Sequence, residues 1–407
     1  MSDITDLYDR LAAASSLEGD DAAIRINATY EPIGGSGDKV SPPTYPIATA
    51  DKPPYLIENR WDEDAADPSE VVLLDSRQAQ ANRCEEALLR GIDTGRLALP
   101  HLVLSTESND RTIRITSLDA PHRSRDAYFR DAESGDGTSF DDTAIGQELR
   151  GVRPDDASPL YRYSPTDLVY GVWDSHRDFR LATRFPRIYT SELIGWDVLT
   201  GLRAAGRFDL VVSGGEKVTG GNQDWMPTSG NSKGKKKLSE LGHGSIPPNI
   251  VHKTQRGGEV LNPGGVVVRR ITRSATVGFA GLARIRFGGS PDPAARAARA
   301  VLAALALLGD RLAFGGPAVF VRSGCELVLE DESITWVGRS AGEEQLVIDT
   351  GTAHELFDHA VGIAVSQGLA WSTDPIALRP QPKLQEVIDR AFFSSPTEDD
   401  GETVGTP

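Results

Sequence analysis

The stretch AARAARAVLAALALLGDRL, residues 294–312, constrains the fold more than any other. It reads as a strong helix with Pro293 near its start, where a missing backbone N–H costs nothing. Its apolar run, Ala300 to Gly309, is the longest in the chain and too short to span a bilayer. The helix is therefore expected to lie in a core of the protein's own, and 407 residues suffice for one large or two ordinary domains. Strand-like runs surround it. Ala23 to Tyr30 alternates Ile24, Ile26, Ala28 and Tyr30 with Arg25, Asn27 and Thr29, and Glu70 to Asp75 reads as a buried strand whose inner residues, Val71 to Leu74, are all apolar. Further strands are expected at 97–105, 111–116, 168–173, 208–213, 265–272, 277–287, 319–322, 326–329, 335–337 and 345–348. Helices are expected at 3–15, 353–367 and 384–392, and after Ser76, whose hydroxyl caps RQAQANRCEEALLRG up to Gly91. Separate helices among many strands predict an α+β fold.

Residues 31–55 read as a long loop, and 214–263, rich in Gly, Ser, Asn and Lys, as a basic excursion projecting from the core. The tail 395–407 carries four acidic residues and no basic ones, and is expected to be disordered. Residues 1–394 are expected to form one elaborated domain. Two cysteines, Cys84 and Cys325, exclude a disulfide framework and a four-cysteine zinc site and suit a reducing cytoplasm. No signal peptide or membrane segment is expected.

The net charge of −16 argues against a generally basic nucleic-acid binder, but phosphate binding depends on where the cations sit. Between Ser117 and Gly195 there are many arginines and no lysine, interleaved with aromatics such as Tyr128, Phe129, Tyr170, Trp173 and Phe185. Arg177, Arg180 and Arg184 recur at helical spacing. A guanidinium is a rigid fork for phosphate, and an aromatic ring is a platform for a base. The competing reading is a helix face whose arginines pair with nearby carboxylates. Tyr170 and Trp173 fall in an apparent strand and are assigned to the core. On the helix after Ser76, Gln78 and Asn82 lie one turn apart beside Arg83, where the first turn can meet a phosphate or another subunit. Arg284 and Arg286 are expected on one strand face, and the adjacent Arg269 and Arg270 on opposite faces.

Other chemistries lack a foothold. Gly214, Gly215 and Lys217 follow a strand, yet the P-loop spacing is absent. His354 and His359 are five residues apart and cannot jointly hold a zinc ion from one helix. No nucleophile elbow is present. No metal, no cofactor and no catalytic set is expected.

The segments LDSRQAQANRCE, SLDAPHRSRDAYFRD, FDDTAIGQELR, LYRYSPTDLVYGVWDSHR and ATRFPRIYTSELIG resemble, in order, the backbone subunit of the type I-G (formerly I-U) CRISPR surveillance complex, Cascade. The resemblance implies an RRM-like (ferredoxin-like) palm with large insertions forming thumb- or finger-like elements. It implies a cytoplasmic, non-catalytic ribonucleoprotein subunit of antiviral defence, several copies of which line up along one CRISPR RNA (crRNA) and present it to a target DNA strand. Its partners would be other copies of itself, other Cascade subunits and a recruited helicase-nuclease, without a membrane. The candidates for RNA contact are Gln78, Asn82, Arg83, His122, Arg123, Arg125, Arg177, Arg180, Arg184 and Lys217. Lys233, Lys235, Lys236 and Lys237 suit a thumb or a DNA path. Two alternatives stay open: an RNA-processing endoribonuclease with His122 or His176 as general base, and a protein-binding scaffold.

Overall fold

The structure, a computed structural model, describes residues 4–46, 53–62, 66–174, 183–211, 217–220, 225–227, 236–253 and 259–391. Arg177, Arg180, Lys233, Lys235, His176 and the acidic tail lie outside the described residues.

A central antiparallel sheet organises the chain. Its strands run in space as Ile57–Arg60, Ser69–Asp75, Tyr189–Trp196, Arg270–Gly278, Ala23–Pro32 and Cys325–Val337. Ala318–Arg322 and Glu343–Leu346 share the outer edge of the long last strand. Helix Arg77–Asp93 precedes Tyr189–Trp196 in the chain, and helix Asp292–Phe314 connects Arg270–Gly278 towards Cys325–Val337. The four inner strands and these two helices follow the order of an RRM-like palm, so the α+β expectation holds and the palm is compatible with it. The alternation read from Ala23 to Tyr30 is present: Ile24, Ile26, Ala28 and Tyr30 are buried, and their neighbours point to the other, polar face.

Helix Asp292–Phe314 is the centre of the core. It packs against helices Ile4–Ala14, Arg77–Asp93 and Thr350–Ser366 and against the sheet. Every residue from Ala297 to Arg311 is buried, so burial of side chains such as Leu302, Leu305 and Leu308 stabilises the fold by about 1.5–3 kcal/mol each. Asp310, inside this helix, is bound by Arg273 and Arg311 and accepts the Tyr189 hydroxyl at 2.6 Å. Arg311 continues to Glu332 at 2.5 Å, and Arg273 donates to Gln80 at 3.1 Å. One buried charge network thus joins three strands and two helices. No helix of the described residues is long and apolar enough to cross a membrane.

The chain between Trp196 and Arg270, neighbours in the sheet, grows into an arm. Leu199–Leu202 pairs with Pro263–Val267, Ala205–Arg207 with Ile246–Asn249, and Val251–Lys253 with Glu259–Leu261. Lys217–Thr219 lies between Met226–Pro227 and Lys236–Lys237. The excursion expected at 214–263 is therefore rooted further out, at Leu199, and carries small β-ladders.

Several sequence expectations change. Leu168–Trp173 is not a strand: Thr166–Tyr170 is a short helix, and Gly171, at φ +86°, turns the chain into a two-residue strand, Val172–Trp173. Residues 208–211 of the strand expected at 208–213 form none, because the Asp209 carboxylate accepts from the Val211 and Gly244 amides and makes a turn; the strand lies earlier, at Ala205–Arg207, and 212–213 lie outside the described residues. The strand through Val277 stops at Gly278, and Phe279–Ala283 is a helix that buries Phe279 and Leu282 at helical spacing. Arg284 and Arg286 therefore follow a helix and do not lie on a strand. The pieces read at 326–329 and 335–337 are one strand.

Candidate nucleic-acid interface

A cleft opens where the start of helix Arg77–Asp93 meets strand Tyr189–Trp196. The Ser76 hydroxyl accepts from the Ala79 amide and fixes that start, as its sequence suggested, and Arg77 then projects from the first helical position. Opposite, Val172–Trp173 pairs with Arg184–Phe185, so Trp173 and Arg184 are cross-strand partners. The Arg184 guanidinium lies 6.0 Å from the centre of the Trp173 ring, which is 57% exposed. Gly171 is required at the floor: a Cβ there would sit 2.9 Å from Arg187 Cγ and 3.1 Å from Arg187 N. The cleft encloses about 480 Å³, and its charged lining consists of Arg77, Arg123, Arg184 and Arg187, with His122 and Trp173 beside them. No carboxylate lines it among the described residues.

The four arginines are not equivalent. Arg123 is buried and adopts a left-handed backbone, φ +52°. It donates to both oxygens of Glu85, at 2.6 and 2.7 Å, and to the Gly171 carbonyl at 2.9 Å. Burial pushes the Glu85 carboxyl up to about 7 against the pull of Arg123, while Glu85 raises Arg123 despite its desolvation. Arg77 is exposed, 3.8 Å from Glu192. Arg184 makes no ion pair among the described residues. Arg187 makes none either, and its Nε is buried without a hydrogen-bond partner. Desolvation, together with the like charges of Arg123, Arg77 and Arg184, lowers the Arg187 pKa. Such a site favours an anion, because one phosphate would satisfy the orphaned donor and offset the mutual repulsion.

Of the sequence candidates, His122, Arg123 and Arg184 meet in this cleft. Arg125 lies next to it in the chain and donates to the Leu149 carbonyl at 2.6 Å, 4.0 Å from Asp174. Arg83 turns the other way, to buried Asp75 at 2.8 Å and to the carbonyl of Val321 at 2.6 Å. Gln78 and Asn82 are exposed on the same helix and do not line the cleft. Lys217 and Lys237 pair as neighbours in the arm, and the Lys236 backbone pairs with Val218. Sequence reasoning missed Arg77 and Arg187 and placed Trp173 in the core. The available signal was Gly171, which breaks the apolar run just before Trp173.

Cys84 and Cys325 are buried thiols, and burial pushes them up to about 12 and about 11. His354 sits 3.3 Å from Asp358 with its other ring nitrogen 2.9 Å from the Arg96 carbonyl, and among the described residues no group of three or more side chains is arranged to hold a metal ion.

Residues 24–200 match one family model, that of CRISPR-associated protein GSU0053. The chain is similar to a CRISPR-associated family. This similarity supports a CRISPR-associated protein with a role in CRISPR defence. No curated protein matches the chain. The matched segment holds every arginine of the cleft, Gly171 and Trp173.

Proposed function

We propose that the chain is a non-catalytic crRNA-binding backbone subunit of a type I-G Cascade complex. Several copies would assemble along one guide and hold it for pairing with a strand of target DNA, beside other Cascade subunits and ahead of a recruited helicase-nuclease. The observation that carries this reading is the Arg187 guanidinium, partnerless at Nε inside a cleft with three further arginines and an exposed indole. Guanidinium groups hold phosphates of any sequence, which is what a subunit serving changing guides needs. Base pairing then reads the target.

The test is purification from cells that carry a repeat array, followed by sequencing of the bound nucleic acid. Repeat-derived RNA of defined length is expected, with an affinity that falls steeply as salt rises. Arg187→Ala should lose that RNA. Random host fragments, or RNA retained equally by Arg187→Ala, would count against the reading. His122 lines the same cleft and gives the endoribonuclease reading its general base. RNA cleavage by the purified protein, abolished by His122→Ala, would favour that reading instead.

A further inference from the structure

Strand Glu343–Leu346 has an open edge. It pairs with Cys325–Val337 on one side and, among the described residues, with no strand on the other. Gly338 donates to Gly342 at 2.7 Å, and antiparallel bonds recur at every second pair. In this register the Glu344 and Leu346 amides face the neighbouring strand, and the Gln345 amide faces out. The turn before the strand, Arg339–Ala341, is strained: Ser340 and Ala341 hold left-handed backbone, φ +59° and +58°, although neither is glycine. Val347, directly after the strand, is 91% exposed. Charged side chains ordinarily blunt such an edge, but here they are engaged. Glu343 binds Arg25 at 2.6 Å, and Glu344 accepts from Arg10 at 3.0 and 2.9 Å.

A groove of about 530 Å³ runs beside this edge, between it and helices Ile4–Ala14 and Thr350–Ser366. Ile4, Leu346 and Val347 give it apolar walls, and its charged lining is Arg10 with Glu344, Asp349 and Glu355. Arg10 is taken up by Glu344, and Asp349 accepts from the Thr352 amide at 2.7 Å. Glu355 is exposed and makes no ion pair among the described residues. The groove is therefore net acidic beside an apolar wall and an open strand edge, and none of its residues lines the arginine cleft. We propose that it docks an extended, basic segment of a partner protein. The segment adds a strand along Glu343–Leu346, packs an apolar side chain against Val347 and sets a lysine or arginine against Glu355. Main-chain bonds supply affinity in this mode, and alternate side chains supply selectivity. The charge decides the occupant: a nucleic-acid strand is repelled, and a second copy would present the same acidic edge to itself.

The test titrates three labelled peptides onto the full chain by fluorescence anisotropy. One is a short peptide of alternating lysine and valine, the second has glutamate in place of lysine, and the third is the lysine peptide methylated at every backbone nitrogen. The lysine peptide should bind about tenfold or more tighter than the glutamate peptide, and methylation should cost it about tenfold or more by removing the main-chain bonds. Gln345→Pro removes the outward amide and keeps the inward bonds, so it should weaken the lysine peptide about tenfold. Glu355→Lys should weaken the lysine peptide and strengthen the glutamate peptide. Thermal melts confirm folding of both variants, and the methylated peptide decides the matter if Gln345→Pro fails to fold. No binding of the lysine peptide, equal binding of its methylated form, or binding unchanged by Glu355→Lys would overturn the docking site. So would self-association in sedimentation that Gln345→Pro abolishes, which would give the edge to a second copy.

Discussion

Arg123 grips Glu85 with two parallel hydrogen bonds, Nε to Oε1 at 2.6 Å and Nη2 to Oε2 at 2.7 Å, in a site closed to solvent. Its remaining nitrogen holds the Gly171 carbonyl at the cleft floor. The pair therefore ties helix Arg77–Asp93 to the binding surface. Arg123→Ala leaves a buried carboxylate without a counter-charge and should cost about 3–5 kcal/mol above neutral pH. Denaturant unfolding measures this, and a loss under 1 kcal/mol would mean the pair is dispensable.

The same carboxyl makes stability pH-dependent. Glu85 titrates near 7 in the folded chain and near 4.5 in the ordinary state, so between these values the folded chain keeps a proton that the unfolded chain has released. Its contribution is present in full below about pH 4.5 and is lost as pH rises through about 7. Melting temperatures of wild type and Glu85→Gln across that window should differ in slope, with the variant flatter. Parallel curves would refute the assignment.

Arg187 predicts an exchange between stability and binding. Its buried Nε lacks a partner, and its neighbours share its charge. Arg187→Met keeps the aliphatic stem and removes both costs, so it should stabilise the free protein by roughly 1 kcal/mol. RNA affinity should fall about tenfold or more. A variant that is less stable and binds normally would place Arg187 in the scaffold.

Trp173 should matter to RNA and not to folding. Its ring is exposed, so Trp173→Ala should change stability by less than about 0.5 kcal/mol. Affinity for single-stranded RNA should drop about tenfold, and Trp173→Phe should recover most of it. Anisotropy titrations beside thermal melts separate the two effects, and equal binding by all three proteins would exclude a stacking role.

Local signals in the sequence were reliable where one side chain acts on its own neighbourhood. Ser76 caps its helix, Cys84 and Leu88 mark the buried stripe, and Ile24, Ile26 and Ala28 mark the inner face of a strand. The cleft was legible in part, through His122, Arg123 and Arg184. What failed depends on distant partners. Glu85 lies 38 residues from Arg123, and no periodicity reports such a pairing. Arg273 and Asp310 are likewise 37 apart. Trp173 was misplaced because an apolar run was read through Gly171, whose positive φ sends the next residues outward.

Tyr170 lines the arginine cleft, and inside the protein its hydroxyl lies so close to Gly309 that a Cβ added there would stand 2.1 Å from it. Gly309 belongs to the central helix and is buried. The cleft is thus gauged by the thickness of the core behind it. A genetic screen for lost binding should return positions on this helix that never touch a ligand, and their loss would be one of fit.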